Sequence, residues 1–229
     1  MDIMGKIRRQ QQAIAKLPLF QNAPPKHQPE VLYIGCIDAR LDPIDDIGIE
    51  KGTALIFRNI AALVPKHKPA GSSPDIVLDN EQDVPQNISV GAALEFFLNH
   101  IPLERGSTKH VVVSGHTDCG GLKACQHNVC GENDHDLPRY LEILRDVRIK
   151  IMQEAKAANW SEAQTLHALE EESVRQSIAN LQTYPMVCEA LEKGYLEIHG
   201  WVINTATQSI FEMNPKTLEF EPMTSRQPT

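Results

Sequence analysis

No stretch of the 229-residue chain stays apolar over the roughly 20 residues that a membrane-spanning helix needs. Positive charge is short too: 22 Lys and Arg stand against 30 Asp and Glu, a formal net charge of −8. That balance excludes a general nucleic-acid binder and a protein drawn to anionic membrane surfaces. The segment Met1 to Gln12 has Lys and Arg but no hydrophobic run after them, so no secretory signal is read there. The cysteines number five, which fits no closed disulfide framework. Free thiols in a reducing cytoplasm are the expectation. No internal repeat and no second domain is visible. Residues 1–229 read as a single domain, with 1–29 a helical arm and connector and 222–229 a flexible tail.

What is present concentrates at two strand ends. Val31 to Ile34 is a short apolar run that reads as a buried parallel strand. It ends at Gly35, and Cys36, Asp38 and Arg40 follow at alternate positions. Core packing would place Val or Leu there. In an extended segment, residues two apart face one side. Cys36 can then bind a metal while Asp38 stands over the same centre and Arg40 reaches Asp38. About eighty residues later Val111-Val112-Val113 leads into Ser114-Gly115-His116-Thr117-Asp118-Cys119-Gly120-Gly121. His116 and Cys119 sit where strand turns into helix, and the helix N-terminus favours a Cys119 thiolate. Cys36, His116 and Cys119 make a Cys₂His set for one tetrahedral zinc. A fourth position left free, or filled by Asp38, suits a catalytic site better than a structural one.

Around these motifs the pattern alternates strand and helix. Residues 2–17 read as an amphipathic helix through Ile3, Met4, Ile7, Ile14 and Leu17, followed by a Pro-rich connector. Strands are predicted at 30–35, 54–58, 110–114 and 195–204, the last pairing with 207–212 as a hairpin. A short helix is predicted from Asp42 and Pro43, and one over 88–100 capped by Asn87. Further helices are predicted over 120–126, from Pro138 to 157, and to 182 behind the capping box Ser161-x-x-Gln164. A short one opens at Pro185 and closes at Gly194. Residues 65–87 and 127–137 read as polar loops. His127, Cys130 and His135 invite a second metal reading, against which they are read as solvated loop side chains; Cys125 and Cys130 as a bridge or a second metal pair have no supporting partner pair. The fold class is α/β, a central, mainly parallel sheet flanked by helices, with the zinc site at the carboxyl ends of the strands.

Cys-x-Asp-x-Arg followed by His-x-x-Cys-Gly-Gly, both unaltered here, resembles the β-class carbonic anhydrases. Phe57-Arg58-Asn59-Ile60-Ala61, Gly91-Ala92-Ala93-Leu94-Glu95, Ala179 to Pro185 and His199-Gly200-Trp201 agree with it. The resemblance runs from about residue 28 to about 204, and its Thr183-Tyr184-Pro185 is closest to the plant-type subset.

The resemblance implies zinc, one per chain, and reversible hydration of carbon dioxide to bicarbonate and a proton through a zinc-bound hydroxide. It implies that Asp38 accepts a hydrogen bond from that hydroxide and that Arg40 holds Asp38. In a closed state Asp38 becomes the fourth zinc ligand. For Arg58 an anion-binding role stands beside a strand-end salt bridge. For Tyr184 a place in the substrate pocket, often the neighbouring subunit's, stands beside a core role. The family also implies a homodimer, or a homotetramer of two dimers, with the N-terminal helix lying across the partner.

The sequence departs from the family at Ala62, where Asn is usual, at Glu50, where Gln is, and in the long 65–87 loop. Hydrolysis of carbon disulfide or carbonyl sulfide on the same scaffold is an alternative. So is a zinc-stabilised binding module with Asp38 permanently on the metal.

Overall fold

The computed structural model describes residues 3–14, 27–44, 48–49, 52–68, 88–104, 106–127 and 136–223. Helix α1 (Ile3–Ile14) comes first. Six strands follow among the described residues: β1 (Val31–Cys36), β2 (Ala54–Asn59), β3 (Lys109–His116), β4 (Leu196–Ile203), β5 (Ile210–Met213) and β6 (Phe220–Pro222). Between them lie α2 (Ile88–Glu95), α3 (Gly120–Gln126), α4 (Asp136–Leu141), α5 (Arg145–Ala158), α6 (Glu162–Leu181) and α7 (Pro185–Glu192).

The strands form one sheet in the order β2-β1-β3-β4-β5-β6. β2, β1, β3 and β4 run parallel, and β5 and β6 continue antiparallel. The chain leaves β1 toward β2 on one side and leaves β3 toward β4 on the other. The carboxyl ends of β1 and β3 therefore flank the switch point where open α/β sheets bind ligands.

Two apolar clusters hold the layers together. In the first, Leu32, Ile34, Val111, Val113 and Val202 of the sheet meet Leu94 of α2, Val174 and Ile178 of α6, and Val187 of α7. Burying each such side chain contributes about 1.5–3 kcal/mol. The long helix α6 comes unusually close to β3 and β4, because Gly115 and Gly200 offer no side chain. A Cβ on Gly115 would lie 2.8 Å from Val174 Cγ2, and one on Gly200 2.6 Å from Ile178 Cδ1. The second cluster gathers Leu122, Leu141, Leu144, Val147, Ile151 and Leu169 around Cys36 and Cys119.

The local predictions mostly hold. Ser161 and Gln164 form the expected reciprocal cap, and Gly194 takes the left-handed conformation after α7. Where the sequence suggests one helix from Pro138 to 157, the structure has α4, a 3-10 turn at Glu142–Leu144, and α5. The tighter turn sets residues three apart in line. Leu141 and Leu144 are thereby both fully buried.

The helix expected to run to residue 100 widens instead into a π turn at Phe96–His100. Its loose carbonyls are collected by Lys109, whose buried Nζ donates to Phe97 O (2.5 Å), Leu98 O (3.1 Å) and Ile101 O (2.7 Å).

At Pro43–Ile44 the described residues form a turn, started by Asp42 Oδ1 accepting from Ile44 N; residues 45 and 46 of the short helix predicted there lie outside the described residues. β6 is an addition at the margin of the segment read as a tail. The Asn87 cap, Glu50, Cys130, His135 and most of the 65–87 loop lie outside the described residues.

Candidate metal centre

Parallel pairing puts Gly35 of β1 beside Ser114 of β3, so the two motifs leave the sheet side by side. Cys36 ends β1, His116 ends β3, and Cys119 is the residue on which α3 starts. The turn between His116 and Cys119 passes through Asp118 at φ 62°, a left-handed conformation that Asp tolerates better than most residues. Gly121 is required because a Cβ there would stand 2.7 Å from Ile60 Cγ2. Gly120 has open space around it. The Ile60–Ala62 turn is fixed by Asn59, which both donates to Leu63 O and accepts from Leu63 N. Tyr140 adds a hydrogen bond from its hydroxyl to Ile60 O, 3.0 Å.

Cys36, His116 and Cys119 are all buried, and their ligand atoms lie within 4.8 Å of one another. His116 Nδ1 is 2.9 Å from Thr117 O, which assigns its proton to Nδ1 and leaves Nε2 with a lone pair. Nε2 is buried with no hydrogen-bond partner. An orphaned, buried imidazole nitrogen facing two sulfurs is costly unless something electron-poor completes it. The thiols point the same way. A hydrogen bond from Cys119, which outweighs the cost of burial, lowers Cys36 to about 4. Cys119 is raised by that same hydrogen bond and by burial. Burial alone would push His116 down, but the negative Cys36 sulfur more than compensates and its pKa is raised. Without a metal the thiolate holds a proton on its neighbours, on Cys119 and on His116; a metal ion takes the place of those protons, and two sulfurs and one imidazole nitrogen within 4.8 Å of one another fit a zinc ion.

Asp38 stands beside this set, with Oδ2 3.8 Å from His116 Nε2. Arg40 holds it by Nε to Oδ1 (2.9 Å), Nη2 to Oδ2 (2.8 Å) and the backbone N to Oδ1 (3.0 Å). These bonds keep the Asp38 carboxyl well below the usual carboxylate range. The sequence reading missed what holds Arg40 in turn. Its Nη1 donates to Asp118 Oδ2 at 2.9 Å and its Nη2 to Asp118 O at 3.1 Å. Lys123 of α3 pairs with the other Asp118 oxygen. Asp118 lies between the two ligands of the second motif, and that position was the signal available in the sequence.

Glu170 of α6 was missed as well. Its buried carboxylate accepts from Cys119 N at 3.4 Å and supports the ligand loop from below. Spacing along a helix 51 residues away gives no sign of that contact.

Arg58 and Tyr184 are placed as follows. Arg58 Nε donates to Cys36 O (2.7 Å) and its Nη2 to Asp38 O (2.5 Å). It clamps the backbone of the Cys36 loop, a role that neither sequence reading named. Tyr184 is buried in the first cluster, with its hydroxyl on Pro65 O at 3.1 Å. Within this chain it has the surroundings of a core tyrosine.

An open α/β sheet with a buried Cys₂His set at its switch point, overlooked by a carboxylate, defines a metalloenzyme scaffold. A family model described as carbonic anhydrase matches residues 31–210. The chain belongs to the β-class carbonic anhydrases, and the hydration of carbon dioxide is the reaction of that family.

Among similar proteins, "Beta carbonic anhydrase 3" of Arabidopsis thaliana is 29% identical over 88% of this chain and 72% of its own length. The "Carbonic anhydrase" of Pseudomonas aeruginosa is 28% identical over 95% of this chain and 89% of its own. The fold is that of the β-carbonic anhydrase CcaA, with a TM-score of 0.78 at 21% identity over 96% of this chain and 100% of that one. It is also that of tetrameric β-carbonic anhydrases from Sordaria macrospora, with a TM-score of 0.65 at 23% identity over 92% of each chain.

Proposed function

We propose that this chain carries out its family's reaction with one zinc ion held by Cys36, His116 and Cys119. The observation that carries the reading is the buried, unpartnered His116 Nε2 facing two cysteines whose ligand atoms all lie within 4.8 Å. Zinc in such a site acts as a Lewis acid and brings the ionisation of water from near 16 toward about 7.

Asp38 accepts a hydrogen bond from the reacting water and turns its lone pair toward carbon dioxide. Arg40 keeps Asp38 in that position and ionised. Freed of Arg40, Asp38 can swing onto the ligand set as a fourth ligand and shut the site. Arg58 and Tyr184 belong to the reading more loosely. Arg58 shapes the Cys36–Asp38 backbone, and a pocket role for Tyr184 would be toward a neighbouring subunit.

Self-association is part of the same proposal. Helix α1 exposes Ile3 (66%), Met4 (52%) and Ile7 (45%), an apolar stripe with the spacing of a helix that docks on another surface. A second copy of this chain is the proposed partner, giving a homodimer or a homotetramer. Cytoplasmic residence is proposed because metal-ligating thiols persist best where disulfides are reduced.

Stopped-flow hydration of carbon dioxide, with and without a chelator, tests the reading. Activity that disappears with the metal and returns with Zn²⁺ supports it. Activity confined to carbon disulfide or carbonyl sulfide would replace it. Light scattering of a chain lacking residues 1–17 tests the association, which should weaken.

A further inference from the structure

At the opposite end of the sheet from Cys36, β3 and β4 bring together a second set of metal-ligating side chains. Register places His110 of β3 directly beside Glu197 of β4. His199 is two residues further along β4 and so projects from the same face. His110 lies six residues before His116, roughly 20 Å away along the strand. The two centres share no side chain.

The three ligand atoms already stand close to the spacing of a metal site. His110 Nδ1 is 3.1 Å from His199 Nε2. Glu197 Oε2 is 3.7 Å from His110 Nδ1 and 3.8 Å from His199 Nε2. Ligands about 2.0–2.1 Å from a tetrahedral zinc are about 3.3 Å from one another. The three separations bracket that value, so closure on an ion needs shifts of about half an ångström at exposed Glu197.

A fourth side chain orients the set. His199 Nδ1 is 3.2 Å from Glu212 Oε1, the carboxylate that β5 presents on the same face beside Trp201. Glu212 accepts the proton of Nδ1 and so assigns the lone pair of His199 to Nε2, the atom that faces His110 and Glu197. A carboxylate behind a histidine, fixing its tautomer, is the arrangement found behind metal-ligating imidazoles. Burial and the nearby His199 also lower the pKa of His110, so that it is neutral and able to ligate at neutral pH. Without an ion, His110 Nδ1–H donates to His199 Nε2. An ion takes the place of that proton, and His110 moves its hydrogen to its other ring nitrogen.

We propose that His110, Glu197 and His199 form a second divalent-cation site, separate from the Cys36–His116–Cys119 centre. Two imidazoles and one carboxylate select a borderline transition ion such as Zn²⁺, Ni²⁺ or Co²⁺ over Mg²⁺ or Ca²⁺, which prefer all-oxygen shells. The site is solvent-accessible through Glu197, whose side chain is 62% exposed. It takes up the ion from free solution.

Metal counting against buffered free Zn²⁺ tests this, using the full chain and the variants His110→Ala and Glu197→Gln. The reading is a difference between chains, so it holds whatever the cysteine centre contains. The wild-type chain should bind one more Zn²⁺ than His110→Ala. Glu197→Gln, a change at an exposed side chain that leaves the fold intact, should weaken that ion at least tenfold. Glu212→Gln should keep the stoichiometry and weaken the ion about 10- to 100-fold, as loss of an orienting partner does. Equal zinc counts in wild type, His110→Ala and Glu197→Gln across the whole range of free Zn²⁺ would overturn the proposal.

Discussion

Arg40 holds Asp118 as well as Asp38: one guanidinium spans two carboxylates from the two candidate ligand motifs, at 2.9 Å and 2.8 Å. The Cys36 loop and the His116–Cys119 loop are thereby tied together above the ligand set. Arg40→Ala should free Asp38 to close the site, and turnover should nearly vanish while the metal stays bound. Asp118→Asn removes only one anchor of Arg40. An exposed ion pair contributes little, and Asn can still accept from Arg40, so kcat should fall only a few-fold with KM little changed. Stopped-flow profiles over roughly pH 6–9 check both variants. Wild-type kcat in Arg40→Ala across that range would remove the gating role.

Metal removal should leave a thiolate behind. With the Cys36 pKa near 4, the chelator-stripped protein should carry about one thiolate per chain at neutral pH. Its ultraviolet thiolate absorbance should titrate away as pH falls through that value. Because the Cys119 hydrogen bond is the leading cause, Cys119→Ala, which removes the donor, should shift the titration upward. A stripped protein with no thiolate signal below pH 8 would contradict the shared-proton picture, since an unperturbed thiol ionises at about 8.5.

The paired carboxylates set an acid limit on stability. Asp38 is depressed chiefly by the Arg40 hydrogen bond, and Asp118 by Lys123 and then Arg40. A depressed acid binds fewer protons folded than unfolded. Its stabilising contribution is complete above the unfolded value of about 3.9 and is lost as pH falls below it. Urea unfolding of the metal-free chain should therefore give midpoints that drop between about pH 5 and pH 3. The drop should be smaller in Asp118→Asn. An identical slope in the two proteins would count against the pairing.

Ala62 occupies a left-handed conformation, φ 55°, where an L-residue with a Cβ costs about 1–2 kcal/mol. Ala62→Gly relieves that strain, partly offset by the freer unfolded chain. The expected gain is about 1 kcal/mol, or about 2–4 °C in Tm for a chain of this size. Calorimetry of the two proteins decides the sign.

Lys109→Met deletes the ammonium that serves three carbonyls at the end of the π turn while keeping an apolar stem of similar length. Hydrogen bonds from a charged donor contribute about 1.5–3 kcal/mol each, reduced here by the lysine's own desolvation. A net loss of about 2–3 kcal/mol is expected in denaturant unfolding. A neutral result would mean that the carbonyls find other partners.

The parts of the fold visible in the sequence were those written in local chemistry. The Ser161–Gln164 cap, Gly194 after α7, and the apolar runs of β1 and β3 each depend on residues a few positions apart. The candidate ligand set Cys36, His116 and Cys119 was visible for the same reason: each motif is a short string at a strand end. Lys109 was not, because a lysine beside a strand reads as solvated until a π turn 8 to 12 residues earlier brings three carbonyls to it. Glu170 was hidden in an acidic stretch, Glu170-Glu171-Glu172, only one member of which faces the Cys119 loop. β6 did leave a trace. Asn204-Thr-Ala-Thr-Gln208 and Asn214-Pro-Lys-Thr-Leu218 are two copies of one five-residue loop, each begun by Asn and ended at positive φ. The second copy implies a further strand, just as the first implies β5.

One stripe of helix α6 ties the site to the sheet. Glu170 supports the Cys119 loop, Val174 and Ile178 fill the hollows at Gly115 and Gly200, and Ser177 takes Val64 N. Each residue of an α-helix is turned about 100° from the last. One residue inserted between Glu170 and Val174 would keep either end in place and rotate the other a quarter-turn away. No change of side-chain rotamer undoes such a rotation. Insertions can accumulate in loops, but this helix must keep its length and phase as long as the chain keeps its site. Members of the family that differ in size should therefore show no length change in the stretch aligned with residues 170–178.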